Sequence, residues 1–216
     1  MADESGRDSS DTKTGWANDR RLGIMGGTFD PIHYGHLLVA EEARERFDLD
    51  TVVFVPNGRP AHKKDYEVAS PEDRYAMCAS AIAPNTHFGI SRVEIDRPGY
   101  SYAIDTIAWF RAQCPNLESL YFITGADAVV QITTWRSFAD LTQQCEFIAA
   151  TRPGIDLTKL IELLDSSILD HVQFMEIPGL DISSSNLRER IHAGRTIRYQ
   201  TPDRVVNYVN KKGLYK

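Results

Sequence analysis

The sequence is poor in the features that announce membrane, metal or secretory chemistry. No run approaches the ~18 consecutive apolar residues of a membrane span, and the first residues hold no apolar core of the signal-peptide kind. The expectation is therefore a cytoplasmic protein. Cysteine is scarce: Cys78, Cys114 and Cys145 are far apart, sit in apolar segments and form no C-x-x-C pair. That excludes a recognisable zinc framework or redox motif and leaves buried free thiols. Positive charge is not in excess either. With 24 Lys and Arg against 30 Asp and Glu, the net charge is −6, which argues against a non-specific nucleic-acid or membrane partner. No internal repeat and no interdomain linker is present.

What is there is the composition of a globular domain, with 216 residues, 42% hydrophobic and 25% charged. Residues 1–20 are rich in Asp, Ser and Gly and lack an apolar pattern. They read as a disordered tail, with Trp16 as its one sticky residue. Residues 21–216 read as a single domain in which strands alternate with helices.

Strands are expected at 22–25, 51–55, 88–95, 120–124, 147–150 and 172–177. Helices are expected at 37–47, from Ser70-Pro71-Glu72-Asp73 onward, at 102–114, between Asp127 and Trp135, at 138–143, at 156–164, from Ser183 to about residue 193, and at 202–209. The run Thr51-Val52-Val53-Phe54-Val55 is continuously apolar and β-branched, as in a strand buried on both faces. This alternation implies a doubly wound parallel sheet, an α/β/α three-layer Rossmann-like domain.

In such a sheet, ligands bind beyond the carboxyl ends of the strands. Five chemistry-bearing segments are expected to gather there: residues 26–36, 56–64, 125–127, 151–154 and 183–188. The first, Gly26-Gly27-Thr28-Phe29-Asp30-Pro31-Ile32-His33-Tyr34-Gly35-His36, is a glycine-rich strand-to-helix junction. Glycines allow close backbone approach, and the helix start offers free N–H groups to an anion. It is neither G-x-G-x-x-G nor a Walker A loop, so dinucleotide-dependent dehydrogenases and P-loop NTPases are disfavoured. His33 and His36 would share one face of the first helical turn and donate to phosphate oxygens. A metal site of Asp30, His33 and His36 lacks a third nitrogen or sulfur ligand at recognisable spacing.

This junction resembles the signature of the nucleotidyltransferase superfamily with a T/H-x-G-H motif, and its longer form is similar to bacterial nicotinate-nucleotide adenylyltransferases. The second superfamily signature appears as Ile182-Ser183-Ser184-Ser185-Asn186-Leu187-Arg188. Three further family stretches occur in order: Val55-Pro56 with Pro60-Ala61-His62-Lys63, then Ser101-Tyr102-Ala103-Ile104-Asp105-Thr106, then Gly125-Ala126-Asp127 followed by Trp135. Thr151-Arg152-Pro153-Gly154 fits as well. The resemblance spans residues 21–216.

It implies transfer of AMP from ATP to nicotinate mononucleotide, giving deamido-NAD and pyrophosphate, with Mg²⁺ carried mainly on the ATP phosphates and no protein metal site. It further implies that His33, His36 and Arg188 act on the phosphates. Gly26, Gly27, Thr28, Phe29, Lys63, Gly125, Asp127, Ile182, Ser184 and Ser185 would complete the ATP site. Tyr102, Ala103, Asp105, Thr106, Trp135 and Arg152 would hold the mononucleotide, with Trp135 stacked on the pyridine ring. A homo-oligomer is left open.

The chain departs from the family pattern at Ala103, where threonine is usual; contact with the nicotinate carboxylate would then come from backbone N–H groups. It also departs at Ala61 for proline and at Ser185 for threonine. Competing readings are an acceptor of another kind, phosphopantetheine or nicotinamide mononucleotide, and a sensor that binds an adenine nucleotide without turnover.

Overall fold

The computed structural model describes residues 15–59, 68–129, 131–154, 157–162, 164 and 166–216. The elements follow in order as β1 (Arg21–Gly27), α1 (Tyr34–Arg46), β2 (Thr51–Pro56), α2 (Pro71–Ile82), β3 (Phe88–Ile90), α3 (Ala103–Gln113), β4 (Ser119–Gly125) and α4 (Ala126–Val129). Then come α5 (Phe138–Thr142), β5 (Glu146–Thr151), α6 (Leu157–Glu162), α7 (Ser166–Leu169), β6 (Val172–Glu176), α8 (Ser184–His192) and α9 (Asp203–Lys212). The strands form one six-stranded parallel sheet in the order β3-β2-β1-β4-β5-β6. This is the doubly wound order, with its reversal between β1 and β4.

Alternation along each strand sends neighbouring side chains to opposite faces, and two apolar layers result. Met25, Phe54, Ile123 and Ile148 face a layer with α1, α2 and α9. Ile24, Val53, Phe122 and Phe147 face the other, with α3 and α5. Both faces of the sheet are covered, which is why its strands read as unbroken hydrophobic runs.

Local chemistry explains three of the helix ends. Ser70 caps α2 by accepting from Asp73 N–H at 3.1 Å, with Pro71 at the first helical position. Ser183 caps α8 in the same way, accepting from Asn186 N–H. Gly213, at φ 64°, ends α9 with a left-handed cap.

Three expectations need correction. The strand expected at 88–95 stops at Ile90. β2 donates Val52 N–H to His87 O, and the next-but-one donor in that register falls on Pro56, which has no N–H. Chain order does not begin at residue 21: Trp16 lies in a 3₁₀ turn, Gly15–Asn18, is only 4% exposed and packs on Phe110. Its indole fills space over Gly89, where a β-carbon would lie 2.9 Å from the ring. The helix expected between Asp127 and Trp135 divides into α4 and a 3₁₀ turn, Ile132–Thr134. Residues 1–14 lie outside the described residues.

Candidate active site

Two cavities open at the carboxyl edge of the sheet, on opposite faces of it. One, of about 420 Å³, lies on the α1 side and is lined by His33, His36, Gly125, Arg152, Ile182 and Ser184, among others. The other, of about 520 Å³, lies on the α3 side and includes Gly26, Gly27, Thr28, Tyr102, Ala103, Trp135 and Arg136. They share the ends of β1 and β4. Adjacent residues of β4, Thr124 and Gly125, open one onto each cavity, as a strand's alternation requires.

The histidine cavity begins with α1, whose first turn contains the His-x-Gly-His motif. His33 is the N-cap, and His36 Nδ1 accepts its backbone N–H at 3.2 Å. The two imidazoles stack with centroids 3.7 Å apart. Gly35 makes this possible, because a β-carbon there would come within 3.0 Å of the His33 ring. His33 is buried, and its Nδ1 has no hydrogen-bond partner among the described residues. Burial, aided by the nearby Arg152 guanidinium, pulls its pKa from 6.5 down to about 4. At neutral pH His33 is therefore an uncharged ring.

The loop before α1 is held from the far end of the chain. The carbonyls of Asp30, Pro31 and Ile32 accept, in turn, from Arg188 Nη1 at 2.8 Å, Ser184 Oγ at 2.9 Å and Thr201 Oγ1 at 2.7 Å. Tyr34 N–H donates to Gln200 O at 3.0 Å. Two helix starts, those of α1 and α8, are thus fixed side by side, and each presents N–H groups and a positive dipole end. Arg188 also reaches the Asp30 carboxylate at 3.7 Å and Ser185 Oγ at 3.3 Å.

The aromatic cavity is built differently. Trp135 is half-buried and rests edge-on against Phe122, with centroids 5.5 Å apart and an interplanar angle of 83°. It is thereby both a packed side chain and a cavity wall. Arg136 lies over the Tyr102 ring at 4.9 Å, a cation–π arrangement. Gly26 must be glycine, since a β-carbon would meet Phe122 at 2.9 Å. Buried Glu94 also lines this cavity; it accepts from Thr106 Oγ1 at 2.7 Å, and burial raises its pKa.

One buried cation lies beneath loops that line the aromatic cavity. Arg74, 1% exposed, donates to the carbonyls of Thr28, Asn57, Gly58 and Ala69 at 2.6–3.2 Å and to Asn57 Oδ1. It ties the β1 loop to both flanks of the segment 60–67.

Several expected residues go elsewhere. Arg152 lines the histidine cavity and pairs with Asp181 at 3.8 Å, not with the aromatic wall. Thr106 is fully buried, with its hydroxyl spent on Glu94, and Asp105 is an exposed residue outside the lining. Phe29 is buried against His36 and Phe54 and reaches a ligand only through its backbone. The hydroxyls of Ser184 and Ser185 are engaged with Pro31 and Arg188. His62 and Lys63 lie outside the described residues, and Asp127 is placed only by its position in α4.

Sequence reasoning missed Arg74, Glu94 and Arg136. Arg136 carried a weak signal, standing next to Trp135; a lone arginine in a helix, such as Arg74, carried none.

Comparison with known proteins agrees with this geometry. The family described as cytidylyltransferase-like matches residues 24–190. A protein of Moorella thermoacetica with the name "Probable nicotinate-nucleotide adenylyltransferase" is 49% identical over 199 residues, covering 91% of this chain and 92% of that one. One of the same name from Corynebacterium glutamicum is 46% identical, covering 91% and 88%. Among solved structures, the nicotinic acid mononucleotide adenylyltransferase of Plasmodium falciparum complexed with NaAD superposes with a TM-score of 0.73 at 22% identity, covering 91% and 97%. That likeness concerns the fold.

Proposed function

The chain belongs to the nicotinate-nucleotide adenylyltransferases within the cytidylyltransferase-like family, and from that premise we propose how its two cavities divide the reaction. AMP passes from ATP to nicotinate mononucleotide, leaving pyrophosphate and deamido-NAD, a step in NAD biosynthesis. The observation that carries this division is the pair of cavities on opposite sheet faces, sharing the ends of β1 and β4.

ATP is assigned to the histidine cavity and the mononucleotide to the aromatic cavity. A phosphate oxygen of the mononucleotide attacks the α-phosphorus; the new P–O bond forms as the bond to the β-phosphate oxygen breaks. The attacking phosphate is already mostly dianionic, because its second pKa is about 6. No general base is required. The chain's contribution is alignment and charge neutralisation. His33 and His36 would donate to the ATP phosphates at the α1 start, with Gly26 to Phe29 supplying backbone contacts and Lys63 closing over them. Arg188 would share the β- and γ-phosphates with the α8 N–H groups. Trp135 and Tyr102 would enclose the pyridine ring.

Among the described residues, no group of three or more His, Cys, Asp or Glu is placed to hold a metal ion. Asp30 Oδ1 accepts from Tyr215 and Ala69, and its Oδ2 faces Arg188 at 3.7 Å. A magnesium ion would be held here by the triphosphate oxygens and would neutralise the departing pyrophosphate. None of the described helices is long and apolar enough to cross a membrane, and we place the reaction in the cytoplasm.

The test is pyrophosphate release from ATP and Mg²⁺ with nicotinate mononucleotide, nicotinamide mononucleotide or phosphopantetheine as acceptor. Fastest turnover with the nicotinate form is expected. No product with it would sink the assignment, and a faster amide reaction would reassign the acceptor.

A further inference from the structure

Asp30 is 1% exposed, and its carboxylate is the meeting point of four separate segments. Oδ1 accepts the phenol of Tyr215 at 2.6 Å and the backbone N–H of Ala69 at 3.2 Å. Oδ2 faces Arg188 Nη1 at 3.7 Å, while the Asp30 carbonyl accepts from the same guanidinium nitrogen at 2.8 Å. Asp30 thus joins Arg188 to the loop that leads into His33, and the proposed function sets both of those residues on the ATP phosphates. Tyr215 is the distant side chain that donates to its carboxylate.

The approach of Tyr215 is built into the backbone. Gly213 ends α9 in the left-handed region, Leu214 packs on the apolar layer beneath, and Tyr215 itself has φ 63°. A non-glycine residue in that region is strained and persists only where its surroundings hold it. Here Asp30 supplies the hold. α9 does not depend on this contact for its own docking. Val205 and Val209 are buried against the same layer, Tyr208 donates to Asp73 at 2.9 Å and Lys212 lies 3.7 Å from the same carboxylate. Burial and the adjacent Asp30 hold the Tyr215 phenol well above its ordinary pKa, so it remains a donor throughout the working pH range.

We propose that Tyr215 is a positioning residue for ATP, holding Asp30 so that Arg188 and the α1 start keep the spacing the triphosphate needs. This deepens the proposed function and rests on it. Tyr215 lines neither cavity and acts through Asp30, with the Arg188 and Arg74 charges also near its phenol. Losing one charge-assisted hydrogen bond of this kind corresponds to about a tenfold change in an equilibrium constant.

The test uses the full chain and Tyr215→Phe, which removes only the hydroxyl. The KM for ATP should rise about tenfold, while that for nicotinate mononucleotide stays within about twofold. Calorimetry with a non-hydrolysable ATP analogue should show the same weakening without turnover. In an Arg188→Lys background, the Tyr215→Phe effect on ATP should vanish. Unchanged analogue affinity, an equal rise in both KM values, or a variant that fails to fold would each overturn the proposal. Should the wild-type chain release no pyrophosphate with any acceptor, the proposed function fails, and calorimetry still decides the role of Tyr215.

Discussion

The two cavities solve different physical problems with different materials. Under the proposed division of substrates, the histidine cavity must fix charged oxygens. It does so with helix starts, imidazoles and an arginine, all locked by hydrogen bonds to the backbone of residues 30–34. The aromatic cavity must fix a flat ring, and it offers planes: Trp135 braced edge-on by Phe122, and Tyr102 beneath Arg136. The first tolerates little displacement, because hydrogen bonds fall off steeply with distance and angle. The second is more forgiving, since apolar contact is non-directional. Single changes should therefore cost more on the histidine side.

The largest effect should come from a residue beneath the loops, outside both linings. Arg74→Ala leaves four backbone carbonyls without this donor and should cost about 3–5 kcal/mol of stability, measured by urea unfolding. A loss below 1 kcal/mol would show that water replaces it and that the loops stand without it. On the histidine side alone, His36→Ala should lower kcat by about 10²–10³-fold and stability by only about 1 kcal/mol, through loss of its cap on His33 N–H. Steady-state kinetics beside a melting curve separate the two.

The cavities should also differ in the sign of their pH linkage. His33 titrates near 6.5 when unfolded and at about 4 when folded. Its contribution is complete above pH 6.5 and is lost as pH falls through 4, by about 3 kcal/mol. Glu94 is shifted upward by burial, so its contribution is greatest at low pH and is lost as pH rises past the ordinary carboxylate range. His33→Asn should flatten the acid limb of a stability–pH curve, and Glu94→Gln the opposite limb. If both variants shift the same limb, burial does not govern both groups.

The smallest change tests the forgiving side. Trp135→Ala should raise the KM for the mononucleotide about tenfold, the loss of one stacking plane, and leave that for ATP nearly unchanged. Equal rises would mean that Trp135 serves packing in common to both cavities and does not mark the acceptor side.

These effects do not follow what could be read from the chain, since Arg74, whose loss should cost most, carried no sequence signal. The glycine-histidine junction and the serine-capped helix before Arg188 were legible because their chemistry is local: a cap, a first turn, a glycine beside a ring. The aromatic wall was legible in part. Trp135, Tyr102 and Ala103 line one cavity, but Thr106 turns inward to satisfy Glu94 and Arg152 belongs to the other face of the sheet. Strand alternation decides such placements, and a register can be placed only once the strand's neighbours are known. Trp16 was misread for a related reason. Its surroundings are polar in sequence, and only the fold brings Phe110 and Gly89 to it.

By itself, the sequence determined the alternation of strands and helices, the parallel sheet that alternation implies, and the two helix starts that carry His36 and Arg188, because each depends on residues within a few positions of one another. The tertiary structure alone decided that the carbonyls of residues 30, 31 and 32 are held by side chains from Arg188, Ser184 and Thr201, and that Arg74 ties down the loops beneath. A backbone carbonyl carries no sequence signature, and its partner, more than 150 positions away, is chosen by packing.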